Sequence, residues 1–108
     1  MKHILTIAVL LVTAFAASHD ANAADQKSVL VTGATTGIGR NLAETLAESG
    51  YHVWAGARTD SEMAELNAIE NITALRLDVT KQDEVDAAVD TILEAGTGLY
   101  GLINNAGI

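Results

Sequence analysis

The chain has 108 residues, with 14 acidic and 6 basic side chains, a net charge of −8, and no cysteine or proline. That balance disfavours a nucleic-acid-binding face, because phosphate binding requires clustered Lys and Arg. The lack of thiols excludes a disulfide framework, a thiol nucleophile and a cysteine-ligated metal site.

The first 23 residues have the layout of a secretory signal peptide. Residues 1–3 are a basic start, residues 4–17 carry no charge, and residues 21–23 form an Ala-x-Ala cleavage site. Cleavage would leave 85 residues with His52 as the single histidine, so no histidine cluster remains to bind a metal. We therefore expect export to the periplasm or the medium. A short membrane anchor is an alternative, although spanning a bilayer takes roughly 20 apolar residues, and a mis-assigned start codon would place the protein in the cytoplasm.

Four apolar runs follow within residues 24–108. They begin near residues 28, 51, 73 and 100 and are continuous rather than alternating in polarity. Continuous runs of this length predict strands that are buried on both faces of a parallel sheet. The fourth strand is expected to lie at an edge of that sheet.

Helical patterns occupy the gaps between these runs. The first places Ile38, Leu42 and Leu46 four residues apart and ends near Gly50. Thr59 and Thr80 each open a Ser/Thr-x-x-acid sequence, which is typical of a helix start. The last helix is expected to bury one apolar face, made of Val85, Ala88, Val89, Ile92 and Leu93. The alternation predicts an α/β fold, a Rossmann-type doubly wound parallel sheet of about four strands and three helices.

The loop after the first strand carries three glycines, Gly33, Gly37 and Gly39. Glycine allows a sharp turn and a close approach of backbone N–H groups to a ligand. The following helix would present the positive end of its dipole to a pyrophosphate. An ordinary glycine-rich turn is the alternative interpretation. No Gly-Lys-Ser/Thr follows, so a Walker-type nucleotide hydrolase is disfavoured.

The end of the second strand indicates which dinucleotide is preferred. In dinucleotide folds an acid near this point favours NAD, whereas an arginine accommodates a 2′-phosphate. Here Arg58 follows an uncharged strand end, and Asp60 comes later in the turn. The pattern predicts NADP in preference to NAD, with the planar guanidinium of Arg58 on the phosphate. The alternative is an arginine that is merely solvated.

Three motifs together resemble the short-chain dehydrogenase/reductase family. Thr32–Gly39 is similar to its Thr-Gly-x-x-x-Gly-x-Gly motif, Leu77–Thr80 to its adenine-contacting segment, and Asn104–Gly107 to its Asn-Asn-Ala-Gly motif. The ending, residues 98–108, resembles the branch that acts on retinol, steroids and 3-hydroxybutyrate. The resemblance implies hydride transfer between a nicotinamide cofactor and the carbonyl or alcohol of a small, apolar substrate.

The same resemblance implies roles for individual residues. Those on the phosphate side of the cofactor would be Gly33, Thr35, Thr36, Gly37, Ile38 and Gly39. Asp78 would accept a hydrogen bond from the adenine amino group with Val79 against the ring, and Asn105, Ala106 and Gly107 would approach the cofactor's ribose. Simple turn formation is the alternative for Asp78 and for the asparagines. Many NADP-dependent relatives carry a basic residue at the position of Thr36, so Arg58 would act alone.

The catalytic pair of the family, a general-acid Tyr with a Lys four residues later, is not found in this chain. Tyr51 and Tyr100 have Ala55 and Asn104 at that spacing. We therefore assign no catalytic residue and expect an inactive N-terminal cofactor-binding half, truncated before the active site. Its partners would be the dinucleotide and, in the complete protein, a small substrate and further subunits, but no nucleic acid. The alternative is a stand-alone nucleotide-binding or redox-sensing module.

Overall fold

A computed structural model of the chain describes residues 26–106. The strands are β1 (Ser28–Val31), β2 (His52–Ala57), β3 (Ile72–Arg76) and β4 (Gly101–Ile103). The helices are α1 (Gly37–Glu48), α2 (Asp60–Asn67) and α3 (Gln82–Ala95). This order and number of elements confirm the prediction. The predicted leader at residues 1–23 and the predicted site residue Gly107 lie outside the described residues.

The four strands form one parallel sheet in the order β3-β2-β1-β4. The chain therefore builds outwards from β1 to β2 and β3, and then crosses back to place β4 on the other side of β1. Such a reversal opens a crevice at the carboxyl ends of the strands, between β1 and β4. The predicted doubly wound topology is confirmed, and β4 lies at an edge of the sheet with Leu102 60% exposed.

The sheet has a separate apolar layer on each face. Val29, Val31 and Val53 pack with α1 and α2 on one face, where Leu66 is fully buried. Trp54 packs on the other face together with α3. Because successive strand residues point to opposite faces, a strand that is covered on both sides needs an unbroken apolar run.

The Ile38, Leu42, Leu46 row of α1 is not the most deeply buried row of this helix: Leu42 and Leu46 are partly buried, and Leu46 packs against the core. Ile38 is 73% exposed, and the buried positions are Gly39, Ala43 and Ala47. Their small side chains let the helix backbone approach the sheet closely. In the helix before β4, Ala88 and Ile92 are buried as predicted, Val85 is partly buried, and Val89 and Leu93 are exposed.

One of the two predicted helix starts is confirmed and the other is wrong. The Thr59 hydroxyl caps α2 by accepting a hydrogen bond from the Glu62 N–H at 3.3 Å. Helix α3 instead begins after Lys81. The Thr80 hydroxyl is taken by the carboxylate of Asp78, which lies 2.6 Å away and is the stronger acceptor. Within residues 26–106, no helix combines the length and hydropathy needed to cross a bilayer.

Candidate functional site

A cleft of about 400 Å³ opens at the carboxyl ends of the strands. Its volume falls within the range of small-molecule sites, about 300–1,000 Å³. Eight of the predicted site residues line it: Gly33, Thr35, Thr36, Arg58, Asp78, Val79, Asn105 and Ala106. They come from the loops after all four strands, which the sheet order brings together at one edge.

Four further lining residues were missing from the predicted set: Gly56, Ala57, Leu77 and Thr80. Gly56 and Ala57 are the last two residues of β2, and Leu77 directly follows β3. Their position in the chain could have identified them, because residues at the carboxyl end of a parallel strand border the crevice.

Three predicted residues shape the loop without lining the cleft. Gly39 is buried against the preceding turn, where a Cβ would overlap the Gly33 carbonyl oxygen and lie 2.5 Å from Asn105 Nδ2. Gly37 has a left-handed backbone with φ +60°, and a Cβ built there meets no atom within 4 Å. Ile38 points into solvent at the second position of α1.

The N-terminus of α1 faces the cleft and has no internal cap. The side chain of its N-cap residue, Thr36, makes no capping hydrogen bond, and the first turn carries no acidic residue. The start of α2 differs, because Thr59 caps it and Asp60 and Glu62 lie in its first turn. The backbone N–H groups at the start of α1 are therefore available to an anionic ligand.

Thr32 joins the glycine loop to the segment after β4, a role that the sequence did not single out. Its buried hydroxyl accepts hydrogen bonds from the N–H groups of Asn105 (2.9 Å) and Ala106 (3.0 Å). The same hydroxyl donates to Asn104 Oδ1 at 3.0 Å. Asn105 Nδ2 also donates to the Gly33 carbonyl at 3.3 Å. These bonds hold the two walls of the crevice at a defined separation.

Asp78 lines the cleft and carries an ionised carboxylate. Its Oδ1 accepts from the backbone N–H of Thr80 at 2.9 Å and from the Thr80 hydroxyl. The Thr80 hydrogen bonds hold the pKa of Asp78 below its ordinary value of 3.8, and the charges of Lys81 and Arg58 act in the same direction. Asp78 therefore forms a turn and also lines the cleft.

The first two charged side chains after β2, Arg58 and Asp60, differ in whether they form an ion pair. Arg58 lines the cleft, is exposed, and forms no ion pair with the residues that the structure describes. Asp60, by contrast, pairs with Arg76 at the end of β3. The Thr59 hydroxyl donates a hydrogen bond to Glu62 Oε1 at 2.8 Å, and this bond lowers the pKa of Glu62.

Both tyrosines of the chain lie at the opposite edge of the sheet, at the amino ends of the strands. Tyr51 directly precedes β2 and Tyr100 directly precedes β4, with their ring centroids 6.2 Å apart. Lys27 places its Nζ 4.5 Å from the centre of the Tyr100 ring. Neither tyrosine reaches the cleft.

Comparison with known proteins identifies the family. The sequence profile described as short chain dehydrogenase matches residues 27–108. The chain belongs to the short-chain dehydrogenase family. The family predicted from the three motifs is therefore confirmed.

The similarity to individual family members covers most of this chain and a minor part of each relative. The short-chain dehydrogenase PC-15 of Penicillium crustosum is 40% identical over 85 residues, which are 77% of this chain and 31% of that protein. The mitochondrial D-beta-hydroxybutyrate dehydrogenase of Rattus norvegicus is 37% identical over 98 residues, which are 82% of this chain and 29% of that protein. A variant of actinorhodin polyketide ketoreductase, crystallised with NADPH, is 31% identical with a TM-score of 0.72, over 79% of this chain and 34% of that chain. This family member thus spans about a third of the length of these relatives.

Proposed function

We propose that this chain forms the dinucleotide-binding part of an oxidoreductase that transfers hydride between NADP(H) and the carbonyl or alcohol of a small substrate. The observation that carries the proposal is the cleft at the crevice between β1 and β4, which combines an uncapped helix N-terminus with an arginine that forms no ion pair within residues 26–106. Membership of the short-chain dehydrogenase family supports the class of reaction, and the NADPH in a similar solved structure supports the cofactor.

The residues at the cleft fit the parts of a dinucleotide. The start of α1 would hold the pyrophosphate, since its N–H groups have no competing cap or carboxylate. Leu77 and Val79 would enclose the adenine, and the ionised Asp78 would accept from its amino group. Asn105 and Ala106 would approach the ribose from the β4 side. When bound, the nicotinamide supplies the hydride chemistry; the chain's own residues bind and orient it.

NADP is the proposed cofactor in preference to NAD. Arg58 would contact the 2′-phosphate, since it borders the cleft and forms no ion pair with another of the described residues. Asp60, the nearest carboxylate in sequence, is engaged by Arg76 and so does not stand as a free ribose ligand. A planar guanidinium provides bidentate, charge-assisted hydrogen bonds to a phosphate.

Replacing Arg58 with methionine tests this assignment. We expect Arg58→Met to weaken NADP⁺ binding about tenfold or more, because a hydrogen bond to a charged group contributes roughly 1.5–3 kcal/mol, and to leave NAD⁺ binding nearly unchanged. Isothermal titration calorimetry of the purified chain with both cofactors measures the two affinities. Lys27→Met, at the opposite edge of the sheet, is the control that removes the same charge. Equal affinities for NADP⁺ and NAD⁺ in the parent chain would contradict the proposed preference.

The chain by itself is proposed to bind the cofactor without turning it over. No Tyr-x-x-x-Lys occurs in the sequence, and both tyrosines lie away from the cleft. We expect no carbonyl-dependent oxidation of NADPH, measured by loss of its absorbance with a panel of small apolar ketones and aldehydes. Turnover above the enzyme-free rate would overturn this expectation.

The position of the tyrosines also favours a second candidate, a nucleotide-binding or redox-sensing module without catalysis. Binding without turnover by this chain fits both candidates, and a Tyr-x-x-x-Lys encoded in frame downstream of codon 108 would favour the oxidoreductase. Export directed by residues 1–23, a small apolar substrate and assembly into oligomers stay predictions.

A further inference from the structure

Arg76 makes two contacts that converge on the loop after β2. Its Nη1 donates a hydrogen bond to the Arg58 carbonyl at 2.9 Å, and its Nη2 binds Asp60 Oδ1. The sheet register explains this position, since Arg76 lies directly opposite Ala57, the last residue of β2. A single planar guanidinium therefore engages the backbone on one side of Thr59 and the carboxylate on the other.

Asp60 is the negative charge that these contacts control. Its side chain is 92% exposed and lies two residues after Arg58, in the first turn of α2. Without a partner, this carboxylate could pair with the Arg58 guanidinium and would repel a 2′-phosphate bound there. An acid in this loop is also the residue type that binds ribose hydroxyls and so favours NAD.

The Arg76–Asp60 pair contributes little to folding stability. Arg76 is 44% exposed and Asp60 is 92% exposed, and ion pairs between exposed side chains contribute little to the free energy of unfolding. The pair matters instead for the orientation of the Asp60 carboxylate. The pair directs the Asp60 carboxylate towards Arg76 and partly offsets its charge, while the hydrogen bond to the Arg58 carbonyl holds the backbone from which the Arg58 side chain extends.

We infer that Arg76 is a positioning residue for cofactor preference, which keeps Asp60 away from Arg58 and so leaves Arg58 free for the 2′-phosphate of NADP. This inference rests on the proposed function. It assigns the preference to three side chains that act together, of which only Arg58 would touch the cofactor.

The test is a set of variants titrated with NADP⁺ and NAD⁺ at low ionic strength, where exposed charges are least screened. We expect Arg76→Met to weaken NADP⁺ binding about twofold to fivefold, the effect of losing an exposed ion pair, and not to weaken NAD⁺ binding. Adding Asp60→Asn to Arg76→Met should restore most of the NADP⁺ affinity, because the uncompensated carboxylate is then removed and only the hydrogen bond to the Arg58 carbonyl stays lost. Lys27→Met again controls for loss of one positive charge.

Each outcome decides the inference. Restoration by Asp60→Asn supports it, because a role limited to loop stability would not be repaired by removing the second partner. The inference would be overturned if Arg76→Met weakened the binding of both cofactors equally or of neither, or if Asp60→Asn gave no rescue. The proposed function would still stand in these cases, provided that Arg58→Met weakens NADP⁺ binding selectively. Failure of the parent chain to bind either cofactor would overturn both.

Discussion

Gly39→Ala is expected to weaken NADP⁺ binding by at least about tenfold and to lower the free energy of unfolding by about 1–3 kcal/mol, as overpacking does. The added methyl group would overlap the Gly33 carbonyl oxygen and crowd Asn105 Nδ2, at 2.5 Å. Either α1 moves away from the glycine loop or the Asn105–Gly33 hydrogen bond breaks. Both changes displace the N–H groups that are proposed to hold the pyrophosphate.

Helix propensity acts in the opposite direction at this position. Gly39 lies inside α1, where alanine is favoured over glycine by about 1 kcal/mol. The steric conflict outweighs this gain, because backbone atoms on one side of the site cannot rotate away as a flexible side chain would. A net stabilisation by Gly39→Ala would therefore contradict the geometry of the loop.

Gly101→Ala is the matched control for an added methyl group. A Cβ at Gly101 meets only Val29 Cγ2, at 3.9 Å, which is an ordinary contact. We expect this variant to bind NADP⁺ as the parent chain does. Calorimetric titration and urea unfolding of both variants separate loss of binding from loss of stability.

Thr32→Val is expected to lower the free energy of unfolding by about 2 kcal/mol and the melting temperature by about 10 °C. Valine has nearly the same shape as threonine, but the N–H groups of Asn105 and Ala106 would lose their acceptor. A fully buried donor left without a partner costs roughly 1–3 kcal/mol, and because these two N–H groups are only partly buried, we expect that range for the pair together. A domain of about 80 residues has a total stability of only about 4–12 kcal/mol, so the effect is a large fraction of it.

Thr32→Ser separates the hydroxyl from the side-chain shape. Serine keeps the acceptor and should retain most of the stability, although it loses one methyl group. Thermal unfolding followed by circular dichroism measures the difference, and hydrogen exchange at the Asn105 and Ala106 amides locates it. If the valine variant melts at or above the serine variant, the Thr32 hydroxyl does not hold the two loops together.

The fold was predictable because its signals are local. The unbroken apolar runs indicated strands covered on both faces, and Val29, Val31, Val53 and Trp54 are buried in that way. The glycine spacing in residues 32–40 likewise indicated a turn, and Gly33 and Gly37 adopt left-handed backbone conformations. Such patterns depend on the conformation of a few consecutive residues, which the sequence specifies directly.

The orientation of the helices was less predictable. The Ile38, Leu42, Leu46 row and the Gly39, Ala43, Ala47 row of α1 have the same spacing, and hydrophobicity alone favours the first. The structure buries the second row fully, whereas in the first row Ile38 is exposed and Leu42 and Leu46 are only partly buried. Close packing of the helix backbone on the sheet requires small side chains, and no apolar pattern within the helix reports how near the sheet lies.

The sequence by itself determined the order of strands and helices, the glycine loop and Arg58 at the end of β2, since each is a property of a short segment. Only the tertiary structure decided what the site residues contact. Asn105 donates to a hydroxyl 73 residues away, and Arg76 engages a loop 16 residues before it. Those partners meet because the sheet has the order β3-β2-β1-β4, which brings distant carboxyl ends of strands to one edge. Side-chain hydrogen bonds and ion pairs act over short distances, so they form only where the fold places two side chains together. No periodic pattern in the sequence indicates which side chains these are.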